Sequence, residues 1–226
     1  MSRELLEFLG ELSLNNNKEW MDDQRVRYLE LKDEFLDQVG LILAFLSKQD
    51  AAFSVLRPKD CVFRQNRDVR FSANKQPYKT NMSAYFAVGG KKSEGPGYYL
   101  HVQPGESFLA GGIWMPTPEI LKKIRQEIDY SGKDLESILS SREIKSNFGC
   151  LEGDQLKTSP RDYDKNHPYI HFLKYKSFIL TKKIPDAGVF SGELVPLAQD
   201  AFLKMNPFMA FLAKAVEQGE DGSGLL

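Results

Sequence analysis

The chain has 226 residues, 42% of them hydrophobic, and carries 30 lysines and arginines against 31 aspartates and glutamates, a formal net charge of -1. That length suits one large domain with an ample core, and the near-neutral balance excludes a protein that draws nucleic acid by its overall field, so any anionic partner must meet a local patch. Cys61 and Cys150 make neither a disulfide framework nor a metal-binding pair, and Arg3, Glu4 and Glu7 stand where an export signal needs an apolar run, which together predict a cytoplasmic protein.

LLEFLGELSL, near the start, reads as a short apolar turn. In NNNKEW, Asn16 followed three residues later by Glu19 has the form of a capping box and predicts a long helix over about 17–47. Tyr28, Leu31, Phe35, Val39, Ile42 and Leu46 recur at steps of three and four along it, one stripe for a core. From residue 82 the period changes to two, predicting a strand over 82–88 with Met82, Ala84, Phe86 and Val88 on one face. Two more strands, 98–103 and 106–112, flank a turn at Gln103-Pro104-Gly105-Glu106, with Tyr98, Leu100 and Val102 facing the core and Tyr99 and His101 on the other face.

Thr117 as N-cap and Pro118 at the first helical position open a helix whose Ile120, Leu121, Ile124 and Ile128 share a side, and GKDLESIL adds a short one. Glycine and serine punctuate 146–153, Pro168 starts another short helix, and a strand follows near 177–183. The stretch 192–217 is apolar at helical spacing but contains Pro207, expected to end or kink it, and a frayed tail is expected from about residue 219. No uncharged stretch reaches the length of a membrane span. The order predicts a single α+β domain over 1–226, with a mainly antiparallel sheet packed against the long N-terminal helix and further helices.

No phosphate loop, HExxH, GxSxG or paired CxxC is present, and no cofactor is expected. His167 and His171, with Asp162 and Asp164 before them, have the residue types of a metal site, but Pro168 keeps the histidines off one helical face, and no metal is expected. Cys61, His101 and Asp68 could form a nucleophilic set only by meeting in space, while DCVF reads more simply as the start of a buried strand.

The stretch RQNRDVRFSANKQPYKTN, residues 64–81, holds five cations (Arg64, Arg67, Arg70, Lys75 and Lys79) and one anion, Asp68. Arginine offers a planar fork suited to phosphate or carboxylate, and a tight turn or irregular loop could converge arginines spaced by three. The arrangement fits an anion site or, equally, an ion-pair network to Asp22, Asp23, Glu30, Asp33 and Glu34 of the long helix.

NNNKEW, Arg64, Arg67-Asp68, Arg70-Phe71, Asn74-Lys75, Tyr78-Lys79 and YYLHVQPGESFLAGGIWMPTPEILKKIR together resemble the bacterial family catalogued as domain of unknown function 2461. The resemblance covers nearly the whole chain and implies a single-domain cytosolic protein of this length, with no reaction and no catalytic residue. The expected site is therefore Arg64, Arg67, Asp68, Arg70, Lys75, Tyr78 and Lys79, with Tyr99 and His101 lining it from the sheet, facing a phosphate- or carboxylate-bearing small molecule. Nucleic acid is the alternative partner, with the patch extended by Lys157, Arg161, Lys165, Lys174 and Lys176 among Tyr163, Tyr169 and Tyr175. A purely structural cluster in an interaction protein is the other alternative. A membrane partner is not expected, and the oligomeric state is open.

Overall fold

The computed structural model describes residues 1–217, so the tail expected from about residue 219 lies outside the described residues. The fold is α+β: four antiparallel strands, β1 (Met82–Phe86), β2 (Gly97–Val102), β3 (Phe108–Ile113) and β4 (Phe178–Lys183), form one sheet in the order β1-β2-β3-β4. The helices are α1 (Arg3–Leu14), α2 (Lys18–Asp23), α3 (Arg25–Gln49), α4 (Pro58–Cys61), α5 (Pro118–Ser140), α6 (Arg142–Phe148), α7 (Ile170–Leu173), α8 (Asp186–Phe190) and α9 (Leu194–Glu217). None of them is long and apolar enough to cross a membrane.

The chain divides into two compact units, one of Met1–Lys91, Tyr99–Leu109 and Lys183–Asp200, the other of Lys92–Tyr98, Ala110–Lys182 and the chain from Ala201. It passes from one to the other after Lys91 and inside β2, β3, β4 and α9, so no linker composition marks the division.

In the first unit LLEFLGELSL is a helix, not a turn: Leu5, Phe8, Leu9 and Leu12 of α1 are fully buried at steps of three and four. They form a core with the stripe of α3, where Leu31, Phe35, Val39, Ile42 and Leu46 are buried as their spacing predicts. The expected helix over 17–47 is broken at Gln24 (φ -90°, ψ 10°), with no glycine or proline to announce the break. Its N-cap is Asn17, whose side chain accepts from the Trp20 amide at 3.0 Å, rather than Asn16. Asn16 instead reaches Tyr78 and makes two hydrogen bonds of 3.0 Å with its backbone.

DCVF is not a strand start, since Cys61 ends α4; only Val62 bridges to Ala84 of β1. Strand β1 ends at Phe86, and Val88, placed in the core by alternation, is 45% exposed beyond it. The turn after β2 forms as read, with Glu106 N donating to Gln103 O at 3.1 Å and Gly105 at φ 72°.

In the second unit Thr117 caps α5, and the separate short helix expected over GKDLESIL is continuous with it across a kink at Ser131. Helix α6, which was not predicted, runs into the punctuated stretch; Ser141 caps it and Gly149, at φ 75°, ends it. Helix α9 does not stop at Pro207. Met205, Phe208, Met209 and Leu212 are buried on both sides of the proline, and burial of roughly 1.5–3 kcal/mol per large side chain offsets the roughly 3 kcal/mol that an internal proline costs.

Candidate functional site

The basic stretch folds as an irregular hairpin in the first unit. Its incoming arm continues from Phe63, whose amide donates to Ser83 O of β1 at 3.0 Å, and its two arms join at the bridge Asn66–Tyr78. Arg67 N donates to Pro77 O (2.8 Å) and Lys79 N to Gln65 O (2.9 Å). The Gln65 side chain, only 5% exposed, donates from Nε2 to the carbonyls of Lys79 and Asn81. Together with the grip of Asn16 on Tyr78, these bonds pin the foot of the hairpin and leave 68–76 as its tip.

The three arginines do not share one partner. Arg70 forks onto Asp68, Nε to Oδ1 at 3.0 Å and Nη2 to Oδ2 at 2.7 Å, in a pair where the arginine is 76% exposed. The Arg67 guanidinium braces the tip through Gln76 O (3.3 Å) and Ser72 Oγ (3.4 Å), and Lys75 Nζ does the same through Val69 O (3.0 Å). Arg64 stands exposed at the foot. Among the described residues no ion pair joins any of them to Asp22, Asp23, Glu30, Asp33 or Glu34; Glu34 is taken by the N-terminal Ser2.

A different set of cations gathers round Phe63. Lys79 Nζ lies 5.0 Å and Lys91 Nζ 5.3 Å from the centre of its ring, with Lys91 anchored on Val62 O at 2.8 Å. Lys79 is half-buried, and burial first, then the charges of Arg64 and Lys91, hold its ammonium below the ordinary lysine value. Among the described residues no carboxylate lies within ion-pairing distance of Arg64, Lys79 or Lys91. Sequence reasoning missed Lys91. The one available signal is the Gly89-Gly90 turn, in which both glycines have positive φ, which folds GGKK back after β1.

From β2 a hydrogen-bonded chain runs along the same face. The Tyr99 hydroxyl meets His101 Nδ1 at 3.3 Å, His101 Nε2 meets Gln103 Oε1 at 3.0 Å, and Gln103 Nε2 donates to Glu106. Burial raises the Tyr99 phenol, and Ser83 of β1, 3% exposed, counters that rise. With Gln103 Nε2 committed to Glu106, Gln103 Oε1 is left to accept, which puts the imidazole proton on Nε2 and leaves Nδ1 to accept from the Tyr99 hydroxyl. Burial holds His101 below the ordinary imidazole value; Gln103 and Glu106 pull it up and the charge of Lys79 pushes it down. The charge of Lys79 thus reaches the relay. Aromatic rings complete it: Phe63 meets Tyr99 edge-on at 6.2 Å, and Phe108 stacks on His101 at 4.7 Å.

The remaining sequence candidates sit elsewhere or are otherwise engaged. Cys61 is 1% exposed, and burial pushes its thiol up to about 11, the reverse of an activated nucleophile, while Asp68 serves Arg70. In the second unit His167 Nε2 is held by Asp129 Oδ1 at 2.9 Å, and its Nδ1 accepts from Tyr169 N at 3.1 Å, so the imidazole shapes the entry to α7. His171 is exposed beside Phe172. No group of three His, Cys, Asp or Glu among the described residues could hold a metal ion. Of the tyrosines offered for stacking, Tyr175 is half-buried and donates its hydroxyl to Leu151 O at 3.0 Å.

The chain matches, over residues 4–211, the family model described as conserved hypothetical protein, DUF2461. It belongs to that family. No curated protein and no solved structure matches it. The match to the DUF2461 model takes in the hairpin, the sheet and every residue of the site, but the family's description names no reaction and adds no catalytic residue.

Proposed function

We propose that this DUF2461 protein binds a phosphate- or carboxylate-bearing ligand at the cluster of Arg64, Lys79 and Lys91, with Tyr99 and His101 beside the anion. The observation that carries the reading is Lys79. Its half-buried ammonium is opposed by desolvation and by two like charges, and no carboxylate answers it. A bound anion would meet all three cations at once, Arg64 through its planar fork and the lysines as point charges. Arg67, Arg70 and Lys75 then act around the site, two by bracing the hairpin and Arg70 by adding charge near its tip. An anion at Lys79 also offsets the repulsion that helps to keep His101 neutral, so binding draws the imidazole towards protonation and frees the Tyr99 hydroxyl from Nδ1 for the ligand.

Thermal melts test this. At a phosphate concentration ten times its dissociation constant, mass action adds about 1.4 kcal/mol, which for a chain of this size raises the melting temperature by roughly 3–6 °C. Sodium chloride of equal ionic strength should not reproduce the rise, and Lys79→Gln and Arg64→Gln should each lose most of it. An equal rise in all three proteins, or none in the wild type, would refute the site.

A further inference from the structure

We infer that the carrier of the anion is a single-stranded nucleic acid, and that Phe71 at the tip of the hairpin stacks on one of its bases. The inference rests on the anion reading above and adds to it a residue that the reading leaves without a role. Phe71 is 96% exposed, the highest exposure of any large hydrophobic side chain among the described residues. It is held out by a braced loop: Ser72 N bonds Val69 O, Arg67 spans the tip to Ser72 and Gln76, and Lys75 ties back to Val69. The guanidinium of Arg70 lies 5.8 Å from the centre of the Phe71 ring, so a cation already borders the aromatic surface. Arg64, Arg67, Lys75 and Lys79 follow along the same hairpin, and its one carboxylate, Asp68, is taken up by Arg70.

The chemistry of the tip selects among partners. A small ligand needs enclosure over most of its surface, and a ring that is 96% exposed encloses nothing. A bilayer would need further large apolar side chains to enter beside Phe71, where the exposed neighbours are Arg70, Ala73 and Asn74 and Val69 is half-buried. In a duplex the base faces are hidden in the stack. A single strand presents both what an exposed ring can stack on and a regular row of phosphates for the cations, the combination by which sequence-tolerant strand binders work.

The test is fluorescence anisotropy of a labelled thymidine strand of about a dozen nucleotides, a length within the usual site sizes, and of a duplex of equal length. Each is titrated with wild type, Phe71→Ala, Phe71→Trp and Lys79→Gln at several salt concentrations. The wild type should bind the single strand more tightly than the duplex, Phe71→Ala should weaken single-strand binding about tenfold or more, and Phe71→Trp should retain it. Phe71→Ala should keep the wild-type salt slope, whereas Lys79→Gln should lower it by about 0.7, the loss of one phosphate contact. Because the ring is solvated, Phe71→Ala should also melt as the wild type does and keep the full rise in phosphate. Three results overturn the inference: no binding of the single strand, equal binding by Phe71→Ala, or a duplex bound as tightly. If the melting response to phosphate persists in any of these cases, the anion site stands and only its ligand has been misread; if the wild type does not respond to phosphate, the anion site falls as well.

Discussion

Replacing Gly112 with alanine should cost about 4 kcal/mol or more, a loss large enough to leave little folded protein at ordinary temperature. Gly112 lies in β3 at φ 138°, a conformation that side chains disfavour, and a Cβ there would stand 1.9 Å from the carbonyl oxygen of Phe178 in β4, with Phe178 C at 3.0 Å and Ile179 Cα at 3.1 Å. All three neighbours are backbone, so no rotamer change can relieve the overlap, and the two strands must part. The adjacent Gly111 makes the comparison. There the tightest neighbour of an added Cβ is the Met205 sulfur at 2.6 Å, the far end of a flexible side chain, so Gly111→Ala should be the milder change. Urea denaturation of both variants checks this, and a loss below about 1 kcal/mol for Gly112→Ala would mean that β3 and β4 do not approach as described.

Gln65→Leu should lower stability by about 2–4 kcal/mol and blunt the response to phosphate as well. The leucine fills similar volume but cannot donate, leaving the carbonyls of Lys79 and Asn81 without the Gln65 amide at the buried foot of the hairpin, and each carbonyl stranded in this way costs roughly 1–3 kcal/mol. One of the two belongs to Lys79 itself, so the ammonium loses the backbone that aims it at Phe63. Denaturation and melts in phosphate read the two effects separately. A loss under about 0.5 kcal/mol with the full phosphate response would detach the foot of the hairpin from the site.

What was legible in the sequence is what local chemistry controls. The apolar stripe of α3, the core face of β2, the Gln103–Glu106 turn and the Thr117-Pro118 start of α5 each rest on residues a few positions apart, and each is found in place. Features decided by long-range partners were not legible. Asn16 looked like a helix cap, but its amide is used by Tyr78, 62 residues on, and the cap passes to Asn17. Pro207 was expected to end or kink the helix, but the buried faces that hold α9 together across it come from packing, which no local rule registers. Within the site, the concentration of charge was visible but its division was not. The Asp68–Arg70 pair is two residues apart and could have been foreseen, whereas the meeting of Lys79 and Lys91 over Phe63 depends on how the hairpin arm pairs with β1.

An anion among Arg64, Lys79 and Lys91 must change how Lys79 titrates, and nuclear magnetic resonance of the lysine side-chain CH₂ next to Nζ, assigned by its loss in Lys79→Gln, reads this directly. In chloride the midpoint should fall below the ordinary lysine value of 10.5, because burial and two like charges disfavour the ammonium. The folded chain then holds this proton less tightly than the unfolded chain, so stability rises with pH between the depressed value and 10.5. Saturating phosphate should move the midpoint upward, since an adjacent anion favours the charged form, and should flatten that rise in stability. Phosphate affinity should correspondingly weaken as pH climbs through the midpoint of the free protein. A Lys79 that titrates at the same pH in phosphate as in chloride of equal ionic strength would contradict an anion site at this cluster.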